Sequence, residues 1–335
     1  MSKNATLRLL AVGLLLCWCG LFLRTETTEK SMVRLIFADP TETGWTVGLL
    51  YQFPEAAADS ADAAASVRLE LGEGETPEKA LLAAEKALHQ QANYRLCEYL
   101  LLGPGWSGSA LQTWEPLVQQ HPELRLSIKL LAAEFSGAAL AAQVRETEQL
   151  PEQLLQTVKN AASTAPRLYR FRRDQGILLP LLRLTGGKAE LREEGLLLSA
   201  RGATALSAEE TAMAALLLGA GSRTQLDAAG QTLTVRRSVC GVQAVGEGFL
   251  VDLTLQRRAG TPAPTEAQRQ TLQALCEETV RICWENGLDL LSLSAFRAQR
   301  DGPGQNTLTT KNACPELRAD VRFLGRSSGP SRTRW

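Results

Sequence analysis

Short runs rich in strand-forming apolar residues recur along this chain, and in two of them, 66–71 and 318–324, apolar and polar positions alternate with a period of two; such runs predict strands. The first two, at 32–38 and 45–53, flank the turn-rich segment 39–44 and so predict a hairpin. Further strands are predicted at 66–71, 94–102, 124–135, 232–239, 248–256 and 318–324. The stretches between these runs carry helical spacing, so strands and helices are expected to alternate.

Capping residues mark where the helices begin. Thr76 precedes Pro77, which suits the first helical position because an N–H there would have no partner within the helix. Capping boxes at 207–210 and 265–268 open two more helices. In the second of these, the expected buried stripe comprises Leu272, Leu275, Cys276, Thr279, Ile282 and Cys283. Helices are also predicted at 110–120 and at 137–160, the latter interrupted by Pro151.

Two segments have less regular patterns. Ile177–Leu184 contains Pro180, so it is expected to be irregular or to lie at the edge of a sheet. Residues 188–200 are expected to form a hairpin that turns at Glu194-Gly195. Taken with the alternation of strands and helices, the pattern predicts an α+β fold, with mixed sheets and helices packed on them in two to three domains.

The first part of the chain has the pattern of an export segment. Residues 9–23 carry no charge, Lys3 and Arg8 precede them, and Arg24 follows. A positive start followed by an apolar core is typical of a secretory signal or a signal-anchor. A helix of this length would span roughly 22 Å, less than the roughly 30 Å hydrocarbon core, unless the flanking arginines snorkel and the bilayer thins. A buried core helix is the alternative, but the favoured interpretation puts the bulk of the chain at the outer face of a membrane.

Composition argues against several classes of function. The 335 residues include 36 basic and 36 acidic ones, so no net charge favours nucleic acid. The seven cysteines contain no CxxC pair, and neither His89 nor His121 lies at ligand spacing from a cysteine or carboxylate. No G-x-S-x-G motif and no P-loop occurs. We therefore expect no metal site, no cofactor and no catalytic residues.

Two segments remain as candidate contact sites. Residues 167–173 (RLYRFRR) carry Arg167, Arg170, Arg172 and Arg173 with two aromatic side chains, a combination that could meet anionic lipid, wall polymer or a partner protein. Residues 103–108 (GPGWSG) precede a predicted helix whose N-terminus could bind an anion. Loop geometry alone also accounts for these glycines.

Several short motifs occur in order between residues 31 and 325. In the first half, 94–103 (YRLCEYLLLG) leads to a helix and then to 121–125 (HPELR) ahead of a strand. In the second half, a strand at 195–200 leads to 206–211 (LSAEET), and 289–291 (DLL) follows the longest helix. This order is similar to that of the GerAC, or Ger(x)C, family, the C subunits of spore germinant receptors. His121 stands where that family typically has an acidic residue.

The resemblance implies how the chain divides. An export segment at 1–30 is followed by a GerAC-like N-terminal domain at 31–186, a GerAC-like C-terminal domain at 187–326, and a disordered tail at 327–335. Members of the family are usually lipoproteins, and Cys17-Trp18 resembles their acylated Cys-Trp pair. Leu16 and the apolar residues after the cysteine favour an uncleaved anchor instead, so both forms of attachment stay open.

The resemblance also implies a function. It predicts a non-enzymatic subunit at the outer face of the inner spore membrane, acting in germination beside a multi-spanning B-type subunit and an A-type subunit. The alternative is an exported solute- or cell-wall-binding module unrelated to germination.

Overall fold

The computed structural model describes residues 30–53, 66–171, 176–219, 224–257, 264–302 and 308–324. The strands are β1 (Lys30–Thr41), β2 (Gly44–Phe53), β3 (Ser66–Gly74), β4 (Gln91–Asn93), β5 (Tyr99–Leu102), β6 (Lys129–Ala133), β7 (Ile177–Thr185), β8 (Lys188–Ser199), β9 (Gly202–Leu206), β10 (Thr224–Ala228), β11 (Gln231–Val245), β12 (Gly248–Arg257) and β13 (Leu317–Leu324). The helices are α1 (Pro77–Ala87), α2 (Gly108–Gln120), α3 (Gly137–Glu146), α4 (Leu150–Ala161), α5 (Ala208–Leu217), α6 (Glu266–Glu285) and α7 (Leu293–Asp301).

The first sheet has a parallel centre and antiparallel flanks. Its strand order is β3-β2-β1-β5-β6-β7-β8-β9, and β4 pairs with the start of β1. The strands β1, β5, β6 and β7 are parallel neighbours, whereas β1-β2-β3 and β7-β8-β9 are antiparallel meanders. The predicted mixed sheet and the predicted first hairpin are therefore confirmed.

The central strands are apolar throughout because helices cover both faces of the sheet. Along β1, Ile36 and Ala38 belong to the core under α1 and α2, whereas Leu35 and Phe37 belong to the core under α3 and α4. Gly72 in β3 shows how closely α1 lies on the sheet, since a Cβ at this position would come closer than 3.0 Å to the backbone of that helix.

A second sheet has the order β10-β11-β12-β13, and only its last pair, β12 with β13, is parallel. Its core includes Leu272 and Cys276 of α6 and Met213 of α5, together with Leu197 and Leu206 from the first sheet. The fold is therefore α+β, as the sequence pattern predicts. The first sheet continues through β9, and residues 186 and 187 form the β7–β8 turn, so the division into two domains at that point stays a prediction.

Two local predictions were wrong. The segment that contains Pro180 is not at an edge but is the inner strand β7, and it accommodates the proline because the pairing with β8 shifts register between Pro180 and Leu182. Residues 188–199 form one continuous strand instead of a hairpin. The turn lies at Gly186-Gly187, where positive φ angles of 55° and 75° favour glycine.

The helix starts follow the sequence closely, whereas several ends do not. Both capping boxes form with both reciprocal hydrogen bonds, and Thr76 accepts a hydrogen bond from the N–H of Lys79. The expected helix at 137–160 is two helices, and Pro151 lies in the first turn of the second, where it is tolerated. The strands β5 and β6 are shorter than predicted, and β10 was missed.

Among the described residues, no helix is both long and apolar enough to cross a membrane. The expected export run 9–23, most of the loop after β2, the expected disordered tail 327–335 and most of the linker before α6 lie outside the described residues.

Candidate functional site

The arginine-rich segment forms a short exposed turn whose apolar members hold it to the core. Leu168 and Phe171 are buried, whereas Arg167, Tyr169 and Arg170 face solvent. The Arg167 guanidinium lies 6.0 Å from the centroid of the Tyr169 ring. The structure thus brings two of the four candidate arginines to one surface; Arg172, like Arg173 and the lipidation candidate Cys17, lies outside the described residues.

The carboxyl ends of the central parallel strands meet around a buried carboxylate. Asp39, at the end of β1, is only 3% exposed, and its two oxygens accept hydrogen bonds from the N–H groups of Gly105 (3.3 Å) and Gly137 (3.2 Å). Burial raises the pKa of Asp39, and these two N–H groups oppose that rise. This edge is where open α/β sheets commonly bind ligands.

The contacts of Asp39 explain why glycine occurs in the loop 103–108 and what the backbone of this loop binds. A Cβ at Gly103 would come closer than 3.0 Å to the Asp39 side chain, so glycine is needed for this approach. The Gly105 N–H, which an anion would need, already donates to Asp39. The loop at 103–108 therefore holds β1 against the start of α2, and this geometry favours the structural interpretation over anion binding.

Three tryptophans pack beside the same loop. The rings of Trp45, Trp106 and Trp114 have centroids 5.4 to 6.2 Å apart, in stacked and edge-to-face arrangements. The indole N–H of Trp106 donates to the carbonyl of Ala38. Aromatic pairs of this kind add roughly 0.5–1.5 kcal/mol beyond the burial of their area, so the cluster stiffens this edge of the sheet.

The two motifs of the first half contact each other directly. Glu123 of the HPELR segment accepts a hydrogen bond from the N–H of Tyr94 (2.9 Å), and the ring centroids of His121 and Tyr94 are 4.8 Å apart in an edge-to-face arrangement. The Tyr94 hydroxyl donates to Glu85 at 2.7 Å. Burial, followed by this bond to a carboxylate, raises the pKa of Tyr94. His121 is therefore part of a packed junction beside the first sheet.

The second-half motifs are joined in a similar way. Thr211 of the LSAEET segment accepts a hydrogen bond from the N–H of Gly195 at 2.8 Å, which ties α5 to β8. Asp289, at the start of the DLL segment, accepts from the N–H groups of Leu293 and Ser294 and so caps the beginning of α7. The first bond joins a strand to the following helix, and the second pair fixes the start of α7.

An open groove of about 750 Å³ lies between β7, β8, α5 and β10. We call it the β8–α5 groove; its lining comprises Thr164, Leu178, Leu179, Pro180, Leu191, Arg192, Glu193, Glu194, Ala208, Glu209, Thr211, Ala212, Ala215, Leu218, Thr224, Gln225, Asp227 and Thr232. Leu191 and Leu218, although apolar, are 46% and 53% exposed at this groove.

The cysteines of the described residues are buried or partly buried. In the described ranges there is no group of three or more His, Cys, Asp or Glu side chains that could hold a metal ion, and the cysteines there are free thiols. Burial raises the pKa of Cys276 and of Cys283 to about 12. Both side chains lie on the buried face of α6, as the seven-residue spacing predicts.

Sequence reasoning missed Asp39 and the β8–α5 groove for different reasons. A carboxylate placed directly after the apolar strand 35–38 is an available signal, but it was assigned to a turn. The groove has no comparable signal, because its lining comes from several separate segments spread over residues 164 to 232.

Comparison with known proteins finds only a distant similarity. No family model matches it, and no curated protein matches it either. Among solved structures, the fold is similar to "Crystal Structure of the GerBC protein", with a TM-score of 0.44 and 14% sequence identity over 87% of this chain and 97% of that chain. At that score and identity the similarity leaves the function open.

Proposed function

We propose that this chain is the C-type subunit of a spore germinant receptor. In this role it is a non-enzymatic protein attached at the outer face of a membrane, and it acts in germination through an A-type and a multi-spanning B-type subunit. The proposal rests on one observation, the order of the short motifs along residues 31–325.

The contacts between the motif segments support taking the order of the motifs as evidence for the family. Short motifs could match by chance if they lay on unrelated surface loops. Here the HPELR segment bonds to Tyr94 of the preceding motif, and the LSAEET segment bonds to Gly195 of the strand before it. Each pair of motif segments is joined by a hydrogen bond within the fold, so the two members of a pair depend on each other. A chance match of all the motifs is therefore less expected than it would be for unrelated surface loops.

The membrane attachment is proposed from the sequence. The uncharged run at 9–23 with basic flanks has the pattern of a signal-anchor, and Cys17 offers the alternative of lipidation. A protein with one membrane segment cannot itself form a pathway for ions or solutes. Transfer of a signal across the membrane then needs a multi-spanning partner.

The exposed turn at 167–171 is the surface that we propose for contact with that partner. Arg167 and Arg170 project from a backbone that is fixed by two buried apolar side chains, so the charges are held in place at little cost in entropy. Rim charges of this kind mainly set the rate of association and the choice of partner.

The experiment is isolation of the tagged full-length chain from native membranes after mild crosslinking, followed by mass spectrometry. We expect a multi-spanning transporter-like protein and a second subunit to be recovered with it. The variant Arg167→Ser/Arg170→Ser should reduce that recovery. The matched control Arg236→Ser/Arg237→Ser removes two exposed arginines from β11 and should leave recovery unchanged.

Recovery of the chain alone, under conditions that preserve known membrane complexes, would contradict the proposal. In that case the exported solute- or wall-binding module becomes the better reading. If a multi-spanning partner is recovered equally with both double variants, the receptor role stands and the contact surface is wrong.

A further inference from the structure

The β8–α5 groove combines exposed apolar side chains with an excess of acidic ones. Leu191 of β8 and Leu218 at the end of α5 line it and are about half exposed. Of its charged side chains, one is basic, Arg192, and four are acidic: Glu193, Glu194, Glu209 and Asp227. Grouped exposed apolar side chains mark interaction sites, and this charge balance favours a positively charged occupant.

An irregularity of β8 presents the charged side chains of that strand to the groove. The pairing of β8 with β7 shifts register between Pro180 and Leu182, so that three β8 residues, 192–194, stand opposite Leu181 alone. Adjacent residues of a regular strand point to opposite faces, yet all three of these residues line the groove. Such irregularities redirect side chains and are common beside binding sites.

The basic side chain of the groove is already engaged, whereas two of its acidic side chains are not. Arg192 forms ion pairs with Glu194 at 2.9 Å and with Glu134 at 3.6 Å. Glu193 and Glu209 are exposed and form no ion pair with any described residue. The carboxylates of Glu193 and Glu209 are therefore the groups that a positively charged occupant would meet first.

The acidic side chains lie on separate elements of the groove. Glu193 is on β8, Glu209 is in the first turn of α5, and Asp227 is on β10. Within the described part of the chain, no three His, Cys, Asp or Glu side chains come together in a group that could hold a metal ion. The arrangement therefore suits several positive groups spaced along one occupant better than it suits a single bound cation.

α5 gives the groove a side on which another chain can lie closely. Ala208, Ala212, Ala215 and Leu218 follow one another at intervals of three or four residues, so they share one side of the helix, and all four line the groove. The alanines leave room for a backbone to approach, and Leu218 adds an exposed apolar surface at the end of the helix. Small-molecule sites enclose most of their ligand, whereas this groove is open, so a segment of a protein chain fits it better.

We propose that the β8–α5 groove binds a basic segment of a partner protein, in which lysine or arginine residues flank at least one large apolar side chain. The apolar side chain packs against Leu191 and Leu218, and the flanking cations pair with Glu193 and Glu209. The groove thus offers the opposite charge to the exposed turn at 167–171. This inference does not depend on the receptor-subunit proposal.

The test is photocrosslinking of a synthetic probe to the full-length chain, purified in a nonionic detergent. The probe is the peptide Gly-Lys-Bpa-Lys-Gly-Lys-Leu-Lys, in which Bpa is the photoreactive benzoylphenylalanine. After irradiation, mass spectrometry should find the crosslink within 178–194, 208–218 or 224–232, the segments that line the groove. The counterpart with glutamate in place of every lysine should give little crosslink there. Raising the salt from 0.1 M to 1 M should reduce the yield of the basic probe, because the screening length falls from about 10 Å to about 3 Å.

Matched variants test the charges and the apolar contact separately. Glu193→Gln/Glu209→Gln should lower the groove crosslink about threefold, as expected for the loss of two exposed ion pairs. The control Glu73→Gln/Glu78→Gln also neutralises one exposed strand residue and one first-turn helix residue, but on β3 and α1, and should not change the yield.

The apolar contact is tested by one further pair. Leu218→Ser should lower the yield, whereas Leu82→Ser, which removes a similarly exposed leucine from α1, should not. Urea midpoints measured for all four variants identify any change in yield that follows from lost stability.

Four results would overturn the proposal. The first is a crosslink that falls outside the groove segments or is spread evenly over the surface, and the second is equal labelling by the acidic probe. The third is an unchanged yield in both Glu193→Gln/Glu209→Gln and Leu218→Ser. The fourth is the absence of any crosslink to the folded chain, including the case in which light scattering shows a dimer that covers the groove with a second copy.

Discussion

Asp39 offers the sharpest test of how this fold is held together. Its carboxylate is buried at the end of β1 and accepts two backbone N–H groups, from Gly105 and from Gly137. Gly105 lies in the loop that leads to α2, and Gly137 is the first residue of α3. Replacing Asp39 therefore disturbs three segments at once, and the size and pH dependence of the effect can be worked out from the geometry.

Asp39→Ala leaves both N–H groups without their acceptor. A buried donor left unsatisfied costs about 1–3 kcal/mol, and the Gly105 N–H, which is only partly buried, can recover part of its loss from water. We therefore expect the free energy of unfolding to fall by about 2–4 kcal/mol. Asp39→Asn keeps one acceptor oxygen and the side-chain shape, so it should cost less than Asp39→Ala at every pH.

The pH dependence follows from the direction of the pKa shift. Burial raises the pKa of Asp39 above its ordinary value of 3.8, so the folded state binds this proton more tightly than the unfolded state. The stabilising contribution of the protonated carboxyl is fully present below the unfolded pKa and is lost as the pH rises through the folded pKa. Asp39→Asn lacks this proton, so the stability advantage of the wild-type chain over the variant should shrink as the pH rises above 3.8.

The assay is urea unfolding of the wild-type chain and both variants between about pH 3 and pH 7, followed by the tryptophan fluorescence of the neighbouring cluster. Taking the difference between wild type and Asp39→Asn removes the titration of all other groups. Glu42→Gln, in the exposed turn of the same hairpin, is the control and should give a flat difference. A wild-type advantage that grows with pH would refute the reasoning, because the two N–H groups would then outweigh burial.

Three further predictions test packing and reactivity. Gly72→Ala should lower the urea midpoint clearly because its Cβ would overlap the backbone of α1, whereas Gly241→Ala, with its nearest neighbour at 3.9 Å, should change it little. Leu272→Asp should destabilise the chain more than Leu275→Asp, because Leu272 is fully buried whereas Leu275 is only partly buried. Urea unfolding of both variants measures the difference. Cys276, with a buried thiol and a pKa raised to about 12, should resist alkylation at pH 8 until the protein is unfolded, as followed by mass spectrometry.

Each of these has a clear opposite outcome. Equal midpoints for the two glycine variants would mean that α1 lies farther from β3 than described. Equal midpoints for the two leucine variants would mean that α6 is rotated about its axis. Alkylation of Cys276 in the native protein would mean that α6 separates readily from the second sheet.

The sequence predicted those parts of the fold that local chemistry determines. The capping boxes at Ser207 and Thr265 form as expected because each needs only residues three apart in the chain. The inner position of β7 was missed because Pro180 argues against a central strand, and only the register shift opposite β8 shows how the proline is accommodated. That shift depends on the partner strand, which the local pattern does not contain.

The candidate sites show the same limit. The sequence singled out the arginine-rich segment 167–173, and the structure shows Arg167 and Arg170 exposed on it. The bond between Tyr94 and Glu123 joins residues 29 positions apart, and its existence depends on how α2 directs the chain back to the sheet. Long-range pairings of this kind come from packing, so they could be proposed from a family resemblance but not from spacing.

The distribution of acidic groups gives the final argument about function. The two fully buried carboxylates in the described ranges, Asp39 and Asp289, both accept backbone N–H groups at the starts of helices or of the connections that lead to them. Their hydrogen-bonding capacity is used to fix the chain. Glu193 and Glu209 at the β8–α5 groove, which form no ion pair with any described residue, are instead exposed on β8 and α5. Exposed carboxylates on ordered elements are suited to a cationic partner, which agrees with the binding role proposed above.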